Sequence, residues 1–283
     1  MFLKFSIKDL FGLSWVILLF ILIYSIILSF FSLLLSLTVF SLFMIGFFYW
    51  QKRQLKHEEY KLIVDPAVKK YFLHKDLPDF IQKTVTELSI KNNHPTIPVK
   101  IYEDNSDDGA YCSFYTDGTY QIEIPTFFFF NVGAIPGKTL SNKSKKLIKA
   151  AIAHEYGHFY YNDSFHLEFI VLAQLYVMCL LTMHLHFYLL PVPVILYSLY
   201  SKCTEFRADL FAWRNFPKEY LKELTNSAEN EKYYNMKLIT HLRLFFIGSH
   251  PSSQNRLKFI KGMQKRNQNK PQGKRSSSNL SHQ

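Results

Sequence analysis

The stretch Ala151-Ile152-Ala153-His154-Glu155-Tyr156-Gly157-His158 decides the reading of this chain. It carries H-E-x-x-H inside a run with helical spacing. Residues four apart on an α-helix are offset by about 40° and one turn, so His154 and His158 point the same way. Two neutral imidazoles so placed can grip one Zn²⁺, one ion per chain. Glu155, about 100° further round the cylinder, stands beside the metal, where it takes a proton from water rather than ligating. These residues point to a hydrolase. Upstream, Ser144 to Ala150 gives a polar start, and apolar residues at 147, 148, 151 and 152 form the stripe of a half-buried helix.

Around that helix the polarity of the 283 residues is very uneven. No charged residue occurs from Leu10 to Trp50, and none from Phe169 to Ser201. As helix the first run would measure about 60 Å, twice the hydrocarbon thickness of a bilayer, so it is read as crossing twice with a turn near Ser29 to Ser32. It is too long for a secretory signal and lacks a small-x-small cleavage site. The second run has His184, His186, Pro191 and Pro193 near its middle. These divide it into apolar segments of about 17 and about 14 residues, a hairpin that either spans or only dips into the membrane. Lys4 and Lys8 precede the first run, Lys52, Arg53, Lys56 and Lys61 follow it, and neither turn carries Lys or Arg. The positive-inside rule then places both termini and the domain between the runs in the cytoplasm. Cys112, Cys179 and Cys203 are odd in number and lack framework spacing, so no disulfides or oxidising compartment are expected, and Cys203 is read as a small buried side chain.

Between the apolar runs, Tyr60 to Pro95 is read as mainly helical, with one amphipathic helix presenting Phe80, Ile81, Val85 and Leu88. Val99 to Tyr102 reads as a strand. Tyr111–Thr116 and Thr119–Pro125 read as a hairpin across Asp117-Gly118 in a type I′ turn, with Tyr120, Ile122 and Ile124 alternating with polar Thr119, Gln121 and Glu123. Phe127 to Phe130 is read as capping the core, with an aromatic cluster lying on the membrane surface as the alternative. Glu103, Asp104, Asp107 and Asp108 lack the spacing of a calcium loop and are read as a solvated loop.

A hydrolytic zinc uses three protein ligands and leaves one position open. After His158 the next good candidate on a helix is Glu205, in Thr204-Glu205-Phe206-Arg207-Ala208-Asp209. Asp209 lies one turn on, on the same face, where its carboxylate can accept the far N–H of a ligand histidine and fix the tautomer. Because the apolar hairpin separates His158 from Glu205, it must cross the membrane an even number of times if both bind one ion.

H-E-x-G-H at 154–158, E-F-R-A-D at 205–209 followed by Ala212, and Ser249-His250-Pro251 with Arg256 together resemble the membrane-embedded zinc peptidases of the HtpX family, whose superfamily includes the CAAX prenyl endoproteases. The resemblance covers about residues 1–262 and extends to the order of apolar pairs and catalytic parts. It departs at Thr204, where the family often has Arg, and in the short, proline-containing second pair. Four apolar segments cannot build the chamber of the prenyl endoproteases, which favours the HtpX-like branch. The resemblance implies His154, His158 and Glu205 as zinc ligands, Glu155 as general base, and either His250 or Arg256 near the oxyanion of the tetrahedral intermediate. Asn162-Asp163 also matches the family, in a supporting role. The hairpin at Tyr111–Pro125 would line the cleft and pair with an extended substrate, so that membrane proteins or unfolded chains are the expected polypeptide substrates.

The remaining histidines are read as ordinary, His184 and His186 as a membrane-interface turn. Arg256, Lys258, Lys261, Lys265, Arg266, Lys270, Lys274 and Arg275 supply eight of the formal +11 in a C-terminal segment without Asp or Glu. Such a tail suits anionic headgroups; nucleic acid is not an expected partner, for no aromatic interleaving accompanies the charge.

The expected fold is α+β, mainly α: a membrane-anchored, zincin-like metalloprotease domain with a small β-sheet and two apolar transmembrane helix pairs. The expected parts are 1–52 (transmembrane hairpin), 53–165 and 203–265 (catalytic), 166–202 (inserted hairpin) and 266–283 (basic, disordered tail). The expected function is a multi-pass endopeptidase of a bacterial-type inner membrane acting in protein quality control. A processing protease with one dedicated substrate, and a non-catalytic zinc-binding scaffold, are the alternatives.

Overall fold

The computed structural model describes residues 38–39, 41–42, 45–46, 49, 53, 59–69, 76–104, 109–115, 118–134, 138–183, 191–233 and 251–268. The expected N-terminal hairpin, apart from isolated helical positions, and the tail beyond Gln268 lie outside them, as do Asp107, Asp108, His184, His186 and His250.

In chain order the elements are β1 (Leu62–Val64), α1 (Pro66–Lys69), α2 (Leu77–Asn92), β2 (Val99–Tyr102), β3 (Tyr111–Phe114), β4 (Tyr120–Pro125), α3 (Thr126–Asn131), α4 (Asn142–Tyr160), α5 (Asp163–Met183), α6 (Pro191–Asn215), α7 (Pro217–Tyr233) and α8 (Ser253–Gln268). The strands form one sheet in the order β1-β2-β4-β3, with β3 antiparallel to β4 and the other pairs parallel. Among the described residues β3 is therefore an edge. Strand β1 was not expected, since Tyr60 to Pro95 reads as helical. Three residues are too few to show a period, and pairing with β2 makes the strand, through Val99 N–H to Lys61 O at 3.0 Å and Asp65 N–H to Ile101 O at 2.9 Å.

Strand β4 is buried on both faces. Its alternation holds, but Gln121 and Glu123 are 5% and 7% exposed, so the polar face is buried as well. Burial is tolerated because the hydroxyls of Tyr111 and Tyr115 both donate to the Glu123 carboxylate, the first at 3.0 Å. The hairpin turn also differs. Tyr115 N–H bonds Thr119 O, and Gly118, at φ 85°, donates to Tyr115 O at 2.9 Å, so three residues rather than two lie between the paired positions. A left-handed glycine closing a three-residue loop meets the same strand twist as the expected type I′ turn.

Helix α4 is the centre of the packing, touching the sheet, α2, α5, α6 and α7. Ser141 caps it, its hydroxyl accepting from Ser144 N–H at 3.0 Å, an interaction worth about 1 kcal/mol. One side meets α2, where Ile81, Val85 and Leu88 are fully buried while Phe80 packs at the margin. Tyr156 fixes the other end of that contact by donating to Pro95 O at 2.5 Å. In α3, Phe129 is fully buried and Phe128 packs against the core, but Phe130 is exposed, so only part of the phenylalanine run caps the core.

The second apolar run folds as α5 and α6, which pack together. Pro191 opens α6 at a position that needs no amide hydrogen bond, and the helix then continues unbroken through Glu205 to Asn215. The apolar arm and the ligand segment are thus one helix, without a break between residues 202 and 203. Cys203 is exposed rather than buried. It lies two positions, about 200°, from the inward-facing Glu205. Among the described residues no helix is long and apolar enough to cross a membrane. Helix α8 runs to Gln268, three residues into the segment read as a disordered tail.

Candidate metal centre and cleft

Helices α4 and α6 meet at Gly157. A Cβ there would lie 3.0 Å from the Ala208 Cα and 3.1 Å from the Phe211 Cβ, so only glycine permits this approach. Ala208 and Ala212, both fully buried, keep the facing side equally thin. The close contact brings the buried Glu205 to the two histidines of α4. His154 Nε2 lies 3.3 Å from Glu205 Oε2 and His158 Nε2 lies 3.5 Å from Glu205 Oε1. One donor atom from each of the three residues falls within 4.8 Å of the others.

The far nitrogens are held by carboxylates. His154 Nδ1 stands 3.0 Å from Asp209 Oδ1, and His158 Nδ1 stands 3.0 Å from Asp163 Oδ2. Each imidazole therefore keeps its N–H on Nδ1 and turns the Nε2 lone pair inward. Asp209 in turn accepts from Arg256 Nε at 2.9 Å to Oδ2, from Arg256 Nη2, and from the Tyr220 hydroxyl. Asp163 accepts from Arg207 Nη2. The turn Tyr161-Asn162 aims Asp163: Asn162 takes φ 54°, a region asparagine tolerates, and α5 starts with its first carboxylate directed back at His158.

Burial raises the carboxyl pKa of Asp209, but hydrogen bonds from His154 and the Arg256 guanidinium outweigh it and bring the value down to about 2. Burial likewise disfavours the charged imidazole of His154, yet Asp209 and Glu205 reverse the sign and leave its pKa raised. For His158 the reversal comes from Glu205 and Glu155.

The charge balance tests whether a metal fits. Glu155, Glu205, Asp163 and Asp209 are each at most 7% exposed. Arg207 and Arg256 supply two guanidiniums against these four carboxylates, which leaves two negative charges around two imidazoles. A divalent cation among His154, His158 and Glu205 would neutralise that excess, and the nitrogen and oxygen donor set suits zinc.

These residues line a cavity of about 500 Å³, together with Glu155, Arg256 and the approach to edge strand β3 from Gly109 to Cys112. Of the residues singled out in the sequence, His154, Glu155, His158, Glu205, Asp209 and Arg256 come together here; His250 lies outside the described residues. Tyr220 and Arg207 were missed. Arg207 sits inside the E-F-R-A-D segment, so its position was visible although its partner was not, while nothing local marks Tyr220.

No curated protein matches the chain. A crystal structure of S. mikatae Ste24p aligns at a TM-score of 0.46 and 14% identity, covering 64% of this chain and 49% of that one. The chain thus spans about half the length of that protein. Residues 134–264, which hold all six of the assembled site residues, match Peptidase family M48. Over that span the chain carries a domain that matches the metallopeptidases of peptidase family M48.

Proposed function

We propose that the chain is a zinc-dependent integral-membrane endopeptidase of the HtpX-like branch, acting on membrane proteins or unfolded chains. The observation that carries this reading is the convergence of His154, His158 and Glu205 in a cleft that also holds Glu155 and runs beside an open strand edge. When bound, zinc supplies a Lewis acid that polarises the peptide carbonyl and makes water more acidic.

The chain's residues do the rest. An extended substrate pairs with the edge strand β3, whose residues Tyr111 and Cys112 line the cleft. Glu155 takes a proton from the attacking water as oxygen bonds to the carbonyl carbon, then delivers it to the amide nitrogen as the C–N bond breaks. Asp209 and Asp163 keep both imidazoles in the ligating tautomer throughout. Arg256 has Nε and Nη2 engaged with Asp209, which makes it a positioning residue for His154 rather than a free cation for the oxyanion.

The membrane part of the reading is supported by apolar side chains turned outward. Val192, Leu196 and Leu199 on α6 are 48%, 61% and 46% exposed, and they follow one helix face at i, i+4, i+7. Lipid is the solvent that suits such a face.

Elemental analysis of detergent-purified protein, beside Glu205→Ala and Glu155→Gln, tests the proposal. About one zinc per chain, largely lost in Glu205→Ala, with chelator-sensitive cleavage of unfolded casein that Glu155→Gln abolishes while keeping its zinc, is the expected result. Zinc without cleavage in the wild type would move the reading to a metal-binding scaffold.

A further inference from the structure

The two ends of the cleft differ in chemistry. Along one wall Tyr220 of α7 stacks on His154 with centroids 6.3 Å apart, while Glu223, further along α7, feels the charge of Lys143 near the start of α4 and shares the cavity wall with Ala151. Glu223, Leu224 and Ser227 therefore stand on the α4 N-terminal side of the metal ligands, with Ala151, and all four line the cavity. At the opposite end, past His158, the wall is Cys112, Ser164 and Leu167, none of them charged.

The edge strand gives the cleft a direction. Ser164 Oγ donates to Cys112 O at 2.8 Å, and Phe114 packs on Phe165 at 5.6 Å, so β3 runs toward the C-terminal end of α4. Tyr120, which packs on Phe114, also packs on Phe159 near the C-terminal end of α4, so Gly109 and Ala110, which line the cavity, lead away from that end. A substrate strand antiparallel to β3 then has its N-terminal residues at the Ser164 end and its C-terminal residues beside Glu223.

Glu223 is half-buried; burial raises its carboxyl pKa, while a hydrogen bond from Ser227 and the nearby Lys143 pull the other way. Leu224 is buried next to it. A long basic side chain fits that combination, laying its aliphatic stem on Leu224 and Ala151 and bringing its cationic head to the carboxylate. An acidic side chain would meet like charge in a partly desolvated cleft.

We propose that Glu223 selects substrates with lysine or arginine just C-terminal to the scissile bond, an inference that rests on the peptidase reading above. The test uses the full-length zinc-loaded protein in detergent and peptides identical except for Lys, Gln or Glu at the first or second position after the cleaved bond. The wild type should favour Lys over Glu in kcat/KM by about tenfold, the scale of one charge-assisted contact. Glu223→Asp should keep the preference, Glu223→Gln should level it, and Glu223→Lys should invert it. An equal Lys-to-Glu ratio in the wild type and Glu223→Gln overturns the assignment while leaving the peptidase intact. If the wild type cleaves neither these peptides nor unfolded casein, the peptidase reading falls and takes the proposal with it.

Discussion

The two histidines of α4 are supported in the same chemical language by very different means. His158 leans on Asp163, five positions along the chain, and on Arg207, whose side chain is 38% exposed. His154 leans on Asp209, Tyr220 and Arg256, drawn from α6, α7 and α8, with Arg256 only 20% exposed. In the first arm the orienting carboxylate is local, and the guanidinium that reaches it from α6 is wet at its outer end. The second is distributed, so it ties three helices to one carboxylate. The difference teaches that a ligand's tautomer needs one neighbour to fix it, whereas assembling the domain around the metal needs partners far apart in sequence.

That contrast breaks most directly at the carboxylates. Asp209→Ala strands the buried Arg256 beside His154 and should cost about 3–5 kcal/mol, against about 1–3 kcal/mol for Asp163→Ala, where Arg207 can turn to water. Thermal melts of the metal-free proteins in detergent measure both, and equal losses would abolish the distinction. Zinc affinity should fall by about 10–100-fold in each, since either imidazole loses its orienting partner.

Acid sharpens the comparison at the next level. The pKa of Asp209 is depressed in the folded state from 3.8 to about 2, so the stabilisation it gives is present above about pH 4 and is lost as pH falls toward 2. Arg256→Gln removes one cause of the depression and should start that loss at higher pH; Arg207→Gln, in the other arm, should leave the Asp209 window where it is. Melting temperature followed from pH 5 to pH 2 on both variants separates the two arms. A coincident pair of curves would mean that Asp209 owes its ionisation to His154 alone.

The smallest expected effect belongs to Tyr220→Phe. Asp209 keeps its two-point contact with Arg256, so the lost hydroxyl should cost about 1 kcal/mol and only a few-fold in zinc affinity. A loss as large as that of Asp209→Ala would make the hydroxyl, rather than the guanidinium, the main support.

What could be read beforehand divides along the same line. The α4 and α6 motifs were legible because their geometry is carried by helical spacing alone: two imidazoles one turn apart on α4, and Glu205 and Asp209 one turn apart on α6. Asp163 was visible as a neighbour but its aim was not, because that depends on Asn162 adopting a positive φ. Tyr220 could not be found, for its partner is chosen by the packing of α7 on α4. Strand β1 exists only through its pairing, and the buried polar face of β4 only through the hydroxyls of Tyr111 on β3 and of Tyr115 just beyond it. Gly157 was legible as a letter of the motif, while its reason, that a Cβ there would meet the Ala208 Cα at 3.0 Å, belongs to the assembled pair.

Helix α6 carries outward-facing Leu196 and the ligand Glu205 on one uninterrupted rod. The nine helical steps from one to the other span about 14 Å, with no joint to absorb a change of angle. Rocking the apolar end by about 5° about Leu196 therefore swings the carboxylate by roughly 1 Å, a displacement that matters at a site where ångström-scale misplacement alters rates severely. On the membrane reading proposed above, mechanical load on the apolar arm, from bilayer thickness or lateral pressure, would be delivered undiminished to the His154, His158 and Glu205 cluster.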